Sequence, residues 1–152
     1  MDTNIKAFLD MLSISEGTFG IGDDGYNVIV GSTKKHPNLF VDYSTHPGVL
    51  VDLGGGLKST AAGRYQLLKR YYDAYKKSLG LPDFSPRSQD AIAIQQIKER
   101  RAIDSIKLGY FEEAVKKCCN IWASLPGAGY GQHENKMELL RGHFISQGGV
   151  VA

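Results

Sequence analysis

Apolar residues near the start of the chain fall at Ile5, Phe8, Leu9 and Leu12, the i, i+3, i+4, i+7 spacing of one helix face, and Asp2 and Thr3 stand where caps belong. The pattern stops at Ile14-Ser15-Glu16-Gly17-Thr18, where Gly17 lets the chain leave the helix without a clashing side chain. A glycine-rich turn, Phe19 to Gly25, follows. Tyr26 to Val30 is β-branched and aromatic and predicts a strand; Leu39 to Tyr43 predicts its returning partner. Thr45-His46-Pro47-Gly48 reads as a turn, Val49 to Leu53 as a short apolar run, and Gly54-Gly55-Gly56 as a flexible segment.

From Ala61 the period becomes helical. Tyr65, Leu68, Tyr72, Tyr75 and Leu79 step by three and four until Gly80 and Pro82 stop them. Ser85-Pro86 supplies a cap and a first-turn proline for a helix whose run from Ala91 to Ile97 is apolar on more than one side, as a buried helix requires. Ile103 and Ile106 predict a short helix closed by Gly109. Phe111, Ala114, Val115, Cys118 and Trp122 outline another, ended by Pro126, and Met137, Leu140, Arg141 and Phe144 a last one. The expected class is α+β: a mostly helical lobe, a small β lobe over roughly 19–58, and a cleft between them, with 1–152 forming a single catalytic domain.

The chain has 152 residues, of which 42% are hydrophobic, enough to build the core of one domain. A net charge of +2 is too weak to demand a nucleic-acid partner, and none is expected. No apolar run approaches the ~20 residues of a membrane span. The start, MDTNIKAFLDM, does not have the form of a signal peptide, so the protein is expected in the cytoplasm until something releases it. Cys118 and Cys119 are adjacent, and a vicinal disulfide is strained, so they read as reduced thiols in a helix. His36, His46, His133 and His143 show no ligand spacing; no metal and no cofactor are expected.

Glu16 carries the candidate chemistry. A carboxylate at the C-terminal end of a helix meets the negative end of the dipole, and shielding from water would push the same way, holding the carboxyl protonated near neutral pH. A protonated carboxyl is what a general acid needs to protonate a glycosidic oxygen. A solvated glutamate before a glycine satisfies the same positional pattern, so position alone leaves both readings open. Ser59 reads as a helix cap or a cleft-facing hydroxyl. Arg64 and Gln66, in Gly63-Arg64-Tyr65-Gln66, read as solvated first-turn residues or as hydrogen-bonders for sugar hydroxyls and amides. Tyr130, flanked by glycines, is a loop aromatic or one that a ligand can approach closely.

Six ordered blocks bear on these alternatives: KAFLDM…SEGT (Lys6 to Thr18), GYNVIVG (Gly25 to Gly31), VDYSTHP (Val41 to Pro47), LKSTAAGRYQLL (Leu57 to Leu68), LGLPDFSPRSQDAIAIQQIKER (Leu79 to Arg100) and NIWASLPGAGYGQ (Asn120 to Gln132). With them the chain resembles the lambda-type phage endolysins, a family of lysozyme-like peptidoglycan lytic transglycosylases, from about residue 5 to near the C-terminus. The resemblance places the catalytic glutamate on Glu16 and implies that Gln66 and Tyr130 line the saccharide cleft, with mobile lips at roughly 49–60 and 126–136. Asn27 stands where family members can carry Asp, and Ile14 where an aromatic can precede the Ser-Glu pair.

The resemblance also implies the reaction: cleavage of the MurNAc-β-1,4-GlcNAc bond with formation of 1,6-anhydro-N-acetylmuramic acid, in lysis of a host cell by a phage. The alternative is a hydrolytic muramidase of the same fold using Asp23 or Asp24 as second carboxylate. Phage lysozymes that hydrolyse place an Asp nine residues beyond the Glu and a Thr six later; here those positions are Gly25 and Gly31. The implied partner is the glycan strand of peptidoglycan. Passage to the periplasm would depend on a separate holin-type pore, and a monomer is expected.

Overall fold

The computed structural model describes residues 1–129 and 133–152. In chain order its elements are α1 (Thr3–Glu16), β1 (Val51–Asp52), β2 (Lys58–Ser59), α2 (Lys69–Leu79), α3 (Pro86–Glu99), α4 (Ile103–Lys107), α5 (Phe111–Cys118) and α6 (Met137–Ser146). The chain forms two compact units, one made of Met1–Glu16 with Ala93–Ala152, the other of Gly17–Ile92.

In the first unit α1 packs against α4 and α6, and α5 against α4 and α6. The stripe predicted from Ile5, Phe8, Leu9 and Leu12 is buried, joined by Ile97, Ile106, Phe111, Val115, Leu125, Leu140 and Phe144. Phe111 sits between Phe8 and Phe144, with ring centroids 6.2 and 5.0 Å away. The start of α1 is capped as expected: Asp2 Oδ1 accepts from the backbone of Asn4 at 2.9 Å and of Ile5 at 3.1 Å. Both cysteines are buried and free. Only Cys118 lies within α5, Cys119 being the residue that follows it.

Asn4, 8% exposed, joins the beginning of this unit to its end. Its amide donates to the carbonyls of Ile106 and Val150, each at 3.0 Å, and its Oδ1 accepts from Val150 N at 2.9 Å. The Ile106 carbonyl also accepts from Gly109 N, so Asn4→Ala strips the partners from Val150 N–H and carbonyl alone; it is expected to lower stability by about 1–3 kcal/mol, the cost of leaving such groups unpaired. Urea unfolding midpoints check this.

In the second unit the core is Ile29, Phe40, Ala62, Leu67, Tyr72, Phe84 and Ile92. His46 belongs with it, 2% exposed and 4.9 Å from the Phe84 ring. The backbone N–H of Gly48 donates to His46 Nδ1, so Nε2 carries the proton and donates to the Leu67 carbonyl at 2.8 Å. Burial, the largest influence, holds this imidazole neutral by lowering its pKa.

The β structure is sparser than the sequence predicts. β1 and β2 pair antiparallel, Val51 with Ser59 and Asp52 with Lys58. The expected strands at 26–30 and 39–43 meet only in the isolated bridge of Val28 with Leu39, and Ile29 bridges Ala62 instead. Strand-forming residues are present, but turn residues on both sides, including the left-handed Gly25 and Gly31, give the ladder no room to extend. The expected helix from Ala61 begins only at Lys69. Between them, Ala62 and Leu67 exchange both backbone hydrogen bonds, and Gly63 and Gln66 have φ of 83° and 54°, closing a tight turn. Thr60 Oγ1 accepts from Lys69 N at 3.1 Å, satisfying a donor in the first turn of α2 from outside the helix.

Candidate active site

Glu16 is the last residue of α1, and Gly17 follows with φ of 78°, the left-handed exit the sequence requires. The residue is half-buried, and desolvation lifts its carboxyl from an ordinary 4.5 to about 7. The hydrogen bond from Ser124 acts in the opposite direction and does not offset it. At neutral pH Glu16 is therefore shared between acid and carboxylate, the condition in which one group can give a proton and take one back.

Ser124 Oγ donates to Glu16 Oε2 at 2.5 Å. Behind it, Ser15 Oγ lies 2.7 Å from Ser124 Oγ, and Asn135 Nδ2 donates to Ser15 Oγ at 3.0 Å and to the Ser15 carbonyl at 3.1 Å. Asn135 is itself fixed by its backbone N–H, which donates to the Ser124 carbonyl at 2.8 Å. Sequence reasoning missed Ser15, Ser124 and Asn135 as site residues. Ser15 adjoins Glu16, and Ser124 lies in one of the matching blocks, yet serines and asparagines at helix ends and turns are common enough that spacing does not single them out.

The neighbouring loop is clipped by Glu134. Its two oxygens accept from the backbone of Gly127 at 3.1 Å and of Gly129 at 2.9 Å, which lowers its pKa. Tyr130 lies outside the described residues.

The other site candidates lie in the second unit. Gln66, half-buried and in a left-handed conformation, turns its Nε2 back onto the Gly63 carbonyl at 2.9 Å. Ser59 sits on β2 and accepts from Ala61 N at 3.1 Å. Asn27 Oδ1 accepts from Asp23 N at 2.8 Å and so braces the turn before it.

Arg64 differs from its expected form as a hydrogen-bonder presented to a ligand. It is 4% exposed, because it is not in a helix but in the turn packed beneath residues 18–25. Its guanidinium donates through Nε to the Asp24 carbonyl at 2.9 Å and through Nη2 to Asp24 Oδ2 at 3.2 Å. It also stands 5.3 Å from the Tyr26 ring centroid and 5.8 Å from that of Tyr65. Tyr26 and Tyr65 hydroxyls in turn donate to Asp90 Oδ1 at 2.9 and 2.7 Å.

The two aspartates weighed as a second carboxylate have local roles. Asp23 Oδ2 accepts from the Tyr43 hydroxyl at 2.9 Å. Asp24, at φ of 47°, accepts from Gly20 N at 3.0 Å and pairs with Arg64. Gly25 has φ of 87°, and a Cβ there would fall 2.8 Å from the Thr18 carbonyl oxygen and 2.9 Å from Thr18 Cβ. Thr18 cannot easily withdraw, since its hydroxyl donates to the Arg64 carbonyl at 2.6 Å.

The chain is 57% identical to the endolysin of Escherichia phage lambda, covering 96% of this chain and 92% of that protein. It is 51% identical to the endolysin of Escherichia phage P2, covering 98% and 95%. Among solved structures, bacteriophage lambda lysozyme complexed with a chitohexasaccharide superposes with a TM-score of 0.95 at 55% identity, over 100% of this chain and 98% of that one. A second structure of lysozyme from bacteriophage lambda gives 0.90 at 54% identity with the same coverage. These fix the α+β lysozyme-like fold, and endolysin and lysozyme relatives imply a peptidoglycan-cleaving enzyme. The family model that matches residues 6–151 is Endolysin, and the chain belongs to that family.

Proposed function

We propose that the protein is a lytic transglycosylase that cleaves the MurNAc-β-1,4-GlcNAc bond and leaves 1,6-anhydro-N-acetylmuramic acid ends. The observation that carries this choice over hydrolysis is the packing of Gly25: the position nine beyond Glu16, where hydrolysing phage lysozymes place an aspartate, has no space for a side chain. Asp23 and Asp24, the remaining candidates, brace the turn and Arg64. An ordinary glycosidase needs two carboxyl groups, whereas ring closure can be run by one.

In this reading Glu16 protonates the oxygen linking the two sugars, and the C1–O bond breaks as positive charge develops at C1. The muramoyl C6 hydroxyl attacks C1, and its proton returns to Glu16, which is then ready for another cycle. No water is consumed. Tethering supplies an effective molarity of up to ~10⁵–10⁸ M, beyond what bulk water can match. A carboxyl near 7 suits both transfers.

The bound chitohexasaccharide of the related structure supports glycan strands as the ligand. Ser59, Gln66, Asn27 and Tyr130 are proposed to contact the strand, and Arg64 to hold the turn behind them. Among the described residues no helix is long and apolar enough to cross a membrane. We propose a monomer held in the host cytoplasm and passed to the periplasm by a separate holin-type pore.

Digestion of purified cell walls in oxygen-labelled water tests the reaction. The expected muropeptides end in anhydro sugars, lighter by one water than reducing ends, and carry no label. Labelled reducing ends would overturn the proposal in favour of a muramidase.

A further inference from the structure

The hydrogen bonds behind Glu16 have a direction. The Ser15 carbonyl can only accept, so the Asn135 atom 3.1 Å from it is the amide nitrogen, and the same NH₂ group donates to Ser15 Oγ. Each serine has one hydroxyl proton. Ser124 gives its proton to Glu16 Oε2, so Ser15 must give its own to Ser124 Oγ, 2.7 Å away. Every donor from Asn135 onward therefore points toward Glu16. Moving a proton onto Oε2 would force both serines to turn round, and Ser15, still receiving from Asn135, would have to redirect its own hydrogen from Ser124 to a carbonyl of the preceding helical turn, as Ser13 does to Asp10, or to water. The orientation that Asn135 imposes is thus favoured by the rearrangement its reversal demands.

We propose that Asn135, Ser15 and Ser124 form a polarised relay that keeps Glu16 Oε2 an acceptor in both protonation states, so that the proton Glu16 transfers is carried on Oε1. The three are positioning residues, and for the word "transfers" the inference rests on the function proposed above. Among the described residues, burial and the Ser124 hydrogen bond are what shift the titration of Glu16. Of the ionisable groups on the segments that meet here, Asp10 on α1 pairs with Lys6 and Glu134 holds the backbone of Gly127 and Gly129, while His133 and Lys136 flank the turn that carries Asn135.

Isotope-edited infrared spectroscopy of the free protein tests the assignment, with Glu16→Gln identifying the band. If the proton is on Oε1, the carbonyl oxygen of the acid is Oε2 and accepts from Ser124. Its C=O stretch then moves to higher frequency in Ser124→Ala and returns in Ser124→Thr. If the proton is on Oε2, the carbonyl is Oε1 and the band stays in place, which overturns the proposal.

Carbon NMR titration of Glu16 provides a second reading. Losing a donor to the carboxylate raises its pKa by about one unit in Ser124→Ala, and the high-pH limb of kcat/KM follows. Asn135→Ala, which frees the relay to reverse, moves the pKa upward by less. An unmoved titration in folded Ser124→Ala or Asn135→Ala overturns the relay. These measurements concern the free protein, so labelled reducing ends in the cell-wall digest would remove the transglycosylase reading without touching them.

Discussion

Glu16→Gln is expected to reduce cell-wall cleavage by about 10³-fold, within the range that removal of a positioned general acid produces. The amide still accepts from Ser124 through its carbonyl oxygen, so the fold and the relay stay in place and the loss reports the proton itself. The same substitution should make the protein more stable at alkaline pH. Burial lifts the folded carboxyl to about 7 from an ordinary 4.5, so the folded state binds the proton more tightly than the unfolded chain. Stability contributed by this group is thus complete below pH ~4.5, falls as pH rises toward 7, and is lost above it. At about 1.4 kcal/mol per pKa unit, the folded wild type bears on the order of 3 kcal/mol of strain at pH 8 that the glutamine variant lacks. Thermal unfolding at pH 5 and pH 8 should show the variants converging at the acid end and diverging at the other. Wild-type lysis by Glu16→Gln would falsify the assignment of the site.

Gly63→Ala carries the largest expected loss of stability, about 3–5 kcal/mol. At φ of 83° an alanine is strained, and its Cβ would lie 2.8 Å from Phe84 Cζ and 2.9 Å from Gln89 Cδ. Neither neighbour can give way cheaply. Gln89 Oε1 accepts from Arg64 N at 2.9 Å, while its Nε2 donates to the carbonyls of Tyr26 and Phe84, both at 2.9 Å. Displacing Gln89 leaves buried groups unpaired, at a cost of about 1–3 kcal/mol each. The melting temperature should fall by roughly 10 °C. Gly54→Ala is the control: φ is 87° there too, but nothing lies within 4 Å of the added Cβ, so only backbone strain remains. Equal effects at the two positions would remove the packing explanation.

The helices were readable wherever one apolar stripe faced one core. The faces of α1 and α5 are buried at the residues their spacing picks out, because period alone decides which side of such a helix leaves water; on α6 Leu140 and Phe144 are buried while Met137 and Arg141 stay partly exposed. The segment 61–68 misleads for the same reason. Tyr65 and Leu67 are buried there from a tight turn whose left-handed residues leave no periodic trace. Glu16 is legible as a candidate from its place at a helix end and from the block that holds it. Its supports are not: Ser124 is 108 positions away, and Asn135 reaches Ser15 across 120. Side chains brought together by tertiary folding over such separations have no local pattern to announce them. Arg64 shows the converse, a charged residue that sequence reads as exposed and that the fold encloses with Asp24 and three aromatic rings.

The crowding at Gly25 bears on how enzymes of this shape diverge. A single base change can turn a glycine codon into one for aspartate, so on paper an acidic residue nine places beyond Glu16 is one mutation away. Here that step collides with the Thr18 backbone, and Thr18 is fastened to Arg64, which is fastened to Asp24. A lineage could acquire the acid only after rebuilding the whole turn, and selection would have to cross that gap in several moves, most of them harmful by themselves.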